Sequence, residues 1–137
     1  MPVFTFTDAV VIINTTVDLS DHVKAVTLNY ASELQDDTVM GDDTRSRLGG
    51  LLDWSMDIEF AQDFDSAKVD ATLFPLVGTT FIVKLVATTA TVSSTNPRYT
   101  GTGILESYPP LSGAVGDLAV TAITIQSAGT LAREITT

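Results

Sequence analysis

Cysteine is missing from this chain, and His22 is its only histidine in 137 residues. Without thiols there is no disulfide, no Cys-ligated zinc and no sulfur nucleophile. A single His cannot build a multi-His metal site. Bases are scarce too: 7 Lys and Arg stand against 17 Asp and Glu, a formal net charge of −10. A groove that grips a nucleic-acid backbone needs clustered bases, so that function class is excluded. Charge of this sign keeps a protein soluble and repels DNA. No apolar run approaches the roughly 18 residues of a membrane-spanning helix. The N-terminal stretch MPVFTFTDAVV lacks the positive region of a secretion signal, so synthesis in a cytoplasm without export is expected. Neither a Walker loop nor a G-x-S-x-G elbow occurs, so neither an enzyme nor a cofactor is expected.

What the chain does have is Thr and Val, a strand-favouring composition. Its organising stretch is MGDDTRSRLGGLLDWSMDIEFAQDF, residues 40–64. The second half alternates with period two. Leu52, Trp54, Met56, Ile58 and Phe60 fall on one face, with Asp53, Ser55, Asp57 and Glu59 on the other. That is a half-buried antiparallel strand with one wet face. The only Trp sits on its apolar side, which makes this strand the expected centre of the core. The first half, with its acidic pair, its two Arg and Gly49-Gly50, reads as a loop facing a partner.

Other strands follow from the same alternation. They are expected at residues 9–13, 23–30, 79–88, 98–108 and 117–127, with a turn at Asn14, Thr15 and Thr16. In 98–108, Gly101 and Gly103 at alternate positions suggest close backbone approach or a bend. One helix is expected from Phe64 onward, capped by Asp65 or Ser66 and presenting Val69, Leu73 and Leu76. Pro75 and Gly78 end it. Residues 31–50 form the longest polar connection, of a length that is functional or disordered in small domains. Residues 128–137 read as a polar tail. The whole is one domain of 137 residues, able to bury roughly two-thirds of its unfolded surface. The expected fold is mainly β: an antiparallel β-sandwich or small barrel with one short flanking α-helix and a long extended loop.

The charged motifs carry little chemistry. Asp36-Asp37 and Asp42-Asp43 lack the alternating ligand spacing of a calcium loop, so solvated loop charge is the plainer reading. Asp57 and Glu59 share a strand face without a general acid beside them. His22 reads as a turn residue. Residues 33–70 hold eleven of the acids and three of the bases. Arg45 and Arg47 have two open readings: local pairing, of small value on a surface, or bidentate bonding to a neighbouring copy's carboxylates.

Three stretches read together carry a resemblance: residues 40–64, then VDATLFPLVGT, then STNPRYTGTGILESYPPLSGAVGDLAV. As a set they resemble the structural proteins of tailed bacteriophages, most of all siphophage tail tube (major tail) proteins, across residues 19–131. The resemblance implies a β-sandwich with a helix beside it, and hexameric rings stacked into a hollow tube through which DNA passes. It implies self-association and contact with other phage tail proteins in the virion, DNA only in transit, and no membrane. It would make Met40, Asp42, Asp43, Arg45, Arg47, Leu48 and Leu51 part of an intersubunit arm within a loop at about residues 31–51. The chain departs from some members in being short, with no added immunoglobulin-like domain. The alternatives are another phage structural part, such as a capsid decoration protein, or a calcium-dependent β-sandwich binding module.

Overall fold

The computed structural model describes residues 7, 9–14 and 17–136. Thr15 and Thr16 of the expected turn lie outside these. Seven strands form one antiparallel sheet in the order β2-β1-β5-β6-β7-β4-β3. They are β1 (Val10–Ile13), β2 (Val17–Asp18), β3 (Val23–Asp36), β4 (Arg47–Ala61), β5 (Thr80–Val86), β6 (Arg98–Ser107) and β7 (Val120–Glu134). The two edge strands, β2 and β3, are consecutive in the chain and separated only by Leu19 and a 3-10 turn at Ser20–His22. So short a link forces the two ends of the sheet together, and the sheet curls into a small open barrel. Val26 and Leu28 of β3 thereby share one groove with Val10 and Val11 of β1 and Leu85 of β5. Across this seam Ser20 Oγ accepts a hydrogen bond from the Val11 N–H at 2.9 Å.

The core is the inside of the curl. Trp54, Ile58, Phe60, Phe81, Val83, Leu105 and Ile123, each on the apolar side of an expected strand, are all buried there. Val69 and Leu73 of the helix α1 (Val69–Leu73) join them, and Leu76 in the following 3-10 turn packs alongside. The helix begins later than the sequence implies. Neither Asp65 nor Ser66 caps it; Lys68 occupies the N-cap. The Asp63 side chain instead accepts from the Asp65 N–H at 2.9 Å, a local turn that competes with helix.

Trp54 explains the paired glycines of β6. A Cβ on Gly101 would lie 2.7 Å from the indole, and one on Gly103 would meet it at 3.1 Å and Ile125 at 2.4 Å. The ring packs where the two glycines leave the backbone bare, and its Nε1 donates to the Gly129 carbonyl at 2.9 Å. That carbonyl lies where β7 has left β4, within the register shift between its pairs with Gly103 and Gly101 of β6.

Two boundaries differ from expectation. Residues 31–50 are not one polar connection: β3 runs on to Asp36 and β4 begins at Arg47, leaving only residues 37–46 as a loop. Gly49 and Gly50 lie within β4; Gly49 is paired with Leu34, beside a register shift. A hydrogen-bonded ladder satisfies polar backbone whatever the side chains, so a polar run can still be strand. The tail is the second case. Through Glu134 it is β7, paired with β6 up to Arg98.

Candidate assembly surface

The hairpin of β3 and β4 overshoots the barrel. The stretch of β4 paired with β7 starts at Ser55, whereas its pairing with β3 continues to Arg47. Beyond the barrel the hairpin has only two strands and no layer over either face. Tyr30, Leu34 and Leu52 continue the core-facing side by register, and all three are exposed. Leu52, on the apolar face of the alternation, therefore lies in the hairpin beyond the barrel. Met40, Leu48 and Leu51 are exposed as well.

The charged residues of the arm divide into two sets. Asp36 Oδ1 accepts from the Thr38 N–H at 2.9 Å, and its Oδ2 pairs with Arg45 Nη1 at 2.7 Å. These bonds hold the Asp36 carboxyl below its ordinary range, the bond to Thr38 contributing most. Asp42 Oδ2 accepts from the Val39 N–H at 3.0 Å and shapes the tip. Within one copy, then, Arg45 is held by Asp36. Among the described residues, the side chains of Arg47 and Asp43 make no hydrogen bond or ion pair.

The opposite end of β4 also exposes apolar side chains. Phe64 follows β4 directly, and the loop joining β6 to β7 presents Leu111, Val115 and Leu118. Phe64, Pro110, Leu111 and Asp117 line one shallow groove there. Its frame is rigidly bonded. Gln62 Nε2 donates to the Pro110 carbonyl at 2.7 Å and to Tyr108 Oη at 2.9 Å. Tyr108 Oη donates to Asp70 Oδ1 at 2.8 Å, and Thr121 Oγ1 donates to the Pro109 carbonyl at 2.8 Å. Burial, reinforced by the Asp70 carboxylate, pushes the Tyr108 phenol up to about 12, so it stays a donor. Sequence reasoning passed over this end. Its leucines and valine are spaced without period among Pro, Ser and Gly, and only the Pro109-Pro110 pair hinted at an ordered loop.

His22 is more than a turn residue. Its Nδ1 meets Asp21 Oδ1 and its Nε2 meets Asp63 Oδ2, both at 2.8 Å. The bond to Asp63, with further help from Asp21, raises the imidazole above its ordinary value. This ion pair ties the seam turn to the segment between β4 and α1. Among the described residues no three His, Cys, Asp or Glu gather as metal ligands. No helix among them is long and apolar enough to cross a membrane.

No family model matches the chain, and no curated protein matches it. Solved structures do match. A chain in the hybrid structure of the SPP1 tail tube superposes with a TM-score of 0.73 at 13% identity, over 97% of this chain and 79% of that one. This chain folds as a phage tail tube subunit does. A chain of the native gene transfer agent virion gives 0.72 at 15% identity, over 96% and 98% of the two chains. One from the tail of the empty gene transfer agent particle, refined with C6 symmetry, gives 0.66 at 16% identity over 81% of each. The two matches over 96% and 97% of this chain take in the curled sheet and the overshooting hairpin together.

Proposed function

We propose that this protein is a virion structural protein that assembles into stacked hexameric rings forming a phage tail tube, a conduit for DNA. The observation that carries the reading is the fold shared with the SPP1 tail tube across 97% of the chain. Two similar assemblies have sixfold symmetry, the gene transfer agent tail and the baseplate of the anti-feeding prophage, the latter at a TM-score of 0.59 and 10% identity. That symmetry supports hexameric rings here. The arm supports assembly, because exposed Leu34, Leu48, Leu51 and Leu52 find nothing to cover them in one copy. Charge supports the conduit. The outward face of β4 carries Asp53, Asp57 and Glu59, and the residues paired with it there on β3 and β7 are Thr, Asn, Ala and Gln, so its acids outnumber the exposed Lys24 in the β3 bulge beside Ala25. A wall of this kind does not hold a polyanion in transit. The partners are further copies of the chain and other tail proteins, in the virion after synthesis in the host cytoplasm.

Negative-stain microscopy of the purified protein tests this directly. Rings or tubes with a central hole and sixfold averages are expected; a monomer at every concentration would overturn the reading. Replacing Arg45 and Arg47 together by Ala should leave the circular dichroism spectrum unchanged while rings or tubes are lost. Normal assembly of that double variant would remove both Arg from the arm's contacts.

A further inference from the structure

His22 is the chain's only histidine, and so its only side chain whose ordinary pKa lies between about 5 and 8. The side chain is 16% exposed, and each ring nitrogen lies 2.8 Å from a carboxylate oxygen, one of Asp21 in the seam turn and one of Asp63 after β4. A neutral imidazole has one N–H, so only the imidazolium donates to both carboxylates. Lys68, at the N-cap of α1, is the further charge at this place, and it acts on both acids. Asp21 and Asp63 are held below the ordinary aspartate range, so neither carboxylate takes the proton for itself.

The two sides of this contact are not held equally. The seam turn is anchored by Leu19, fully buried, whose N–H donates to the Val11 carbonyl at 3.1 Å, and by the Ser20 bond to Val11. Residues 63–70 have weaker support. Ala67 sits at a φ of 60°, a conformation that strains a residue other than glycine. The helix that follows has five residues. Asp63 organises the segment: its Oδ1 accepts from the Asp65 N–H at 2.9 Å and its carbonyl from the Asp70 N–H at 3.1 Å. We propose that His22 is a pH-operated latch: as the imidazolium it fastens residues 63–70 to the seam turn, and on losing its proton it lets that segment loosen while the rest of the barrel stays closed. In the neutral ring, a proton kept on Nδ1 leaves no bond to Asp63, and one kept on Nε2 leaves a bond without charge assistance, roughly half as strong. Either tautomer weakens the tie. Because the folded imidazole is raised, the tie is complete below pH 6.5 and fades as pH climbs through the folded value. Phe64, exposed in one groove with Leu111, rides on the released segment, so the latch sets the order of that apolar surface. The latch is independent of the tail-tube reading.

A single histidine gives a single Hε1 resonance in proton NMR of the full chain, and its midpoint should lie above the ordinary 6.5. Asp63→Asn keeps an oxygen for the Asp65 N–H but removes the charge, and should lower that midpoint. Opening of the segment is read by thiol labelling, because the chain has no cysteine of its own. Val69 is fully buried at the start of α1, so Val69→Cys reacts with an aromatic disulfide reagent only when this part opens. At pH 6, adding His22→Gln to Val69→Cys should speed labelling several-fold. At pH 9 the two proteins should react alike. The reagent's own pH dependence cancels in that ratio. Val83→Cys, in the buried face of β5, serves as the control, and His22→Gln should leave its labelling unchanged at both pH values. A midpoint at or below 6.5, or a Val69→Cys ratio that is the same at pH 6 and pH 9, would overturn the latch. A ratio at Val83→Cys as large as that at Val69→Cys would also overturn it, since the whole barrel would then be opening.

Discussion

The two halves of β4 share a strand and an alternating pattern but not a fate. From Trp54 to Phe60 every second residue is buried; from Arg47 to Leu52 none is. Trp54 is 3% exposed and Leu52, two residues earlier on the same face, is 63% exposed. Alternation alone therefore does not bury a side chain. Burial requires something opposite. Trp54 has the bare backbone of Gly101 and Gly103 against its ring, and Leu52 lies past the point where β7 leaves β4. The barrel half is a folding core and the arm half is an uncovered surface of matching chemistry. Uncovered leucines in a row are a liability unless another molecule covers them.

The largest effect should come at the boundary between the halves. Trp54→Ala removes a fully packed indole and its bond to the Gly129 carbonyl, and should cost about 3–5 kcal/mol. Urea unfolding followed by far-ultraviolet circular dichroism measures it. A loss under about 1 kcal/mol, the scale of surface changes, would erase the distinction between the halves.

A smaller effect belongs to the far end of β4, where His22 meets Asp63. Its imidazole is raised above the ordinary value of 6.5. The stabilisation from a raised group is complete below its unfolded value and fades as pH climbs through the folded one. The stability advantage of the native chain over His22→Gln should therefore be larger at pH 5.5 than at pH 9. At both values the two partner carboxylates stay ionised, because Asp21 and Asp63 are held below the ordinary aspartate range. Equal advantages at the two pH values would mean that His22 is neutral in its site.

The smallest stability effect should lie in the arm. Leu34→Ser/Leu52→Ser should shift the unfolding free energy by no more than about 0.5 kcal/mol, because neither side chain is covered. Differential scanning calorimetry under non-assembling conditions checks this. A shift as large as that of Trp54→Ala would place both leucines in the core of the isolated chain.

Residue by residue, much of this was legible beforehand. Alternation located the buried faces of β4, β5 and β6, because a period of two is a property of the backbone and needs no knowledge of neighbours. Gly101 and Gly103 announced a close approach, since only a missing Cβ permits one. The helix stripe Val69, Leu73, Leu76 was readable; its start was not, because Asp63 and Asp65 prefer their own turn. The extensions of β3, β4 and β7 escaped notice. Their pairing uses main-chain groups, on which residues such as Ser32, Glu33 and Gln35 leave no mark.

The sequence by itself determined which side chains are apolar, at what spacing, and that acids outnumber bases along the chain. Those follow from residue type and a fixed backbone period. Only the tertiary structure decided which apolar residues would be covered. The strand order joins partners far apart in sequence, Trp54 with Gly129 and β4 with β7. It ends the barrel between Leu52 and Trp54, and it sets the arm and the Phe64–Leu111 groove at opposite ends of one strand. Non-local pairing made those choices, and no local pattern encodes where a neighbouring strand will stop.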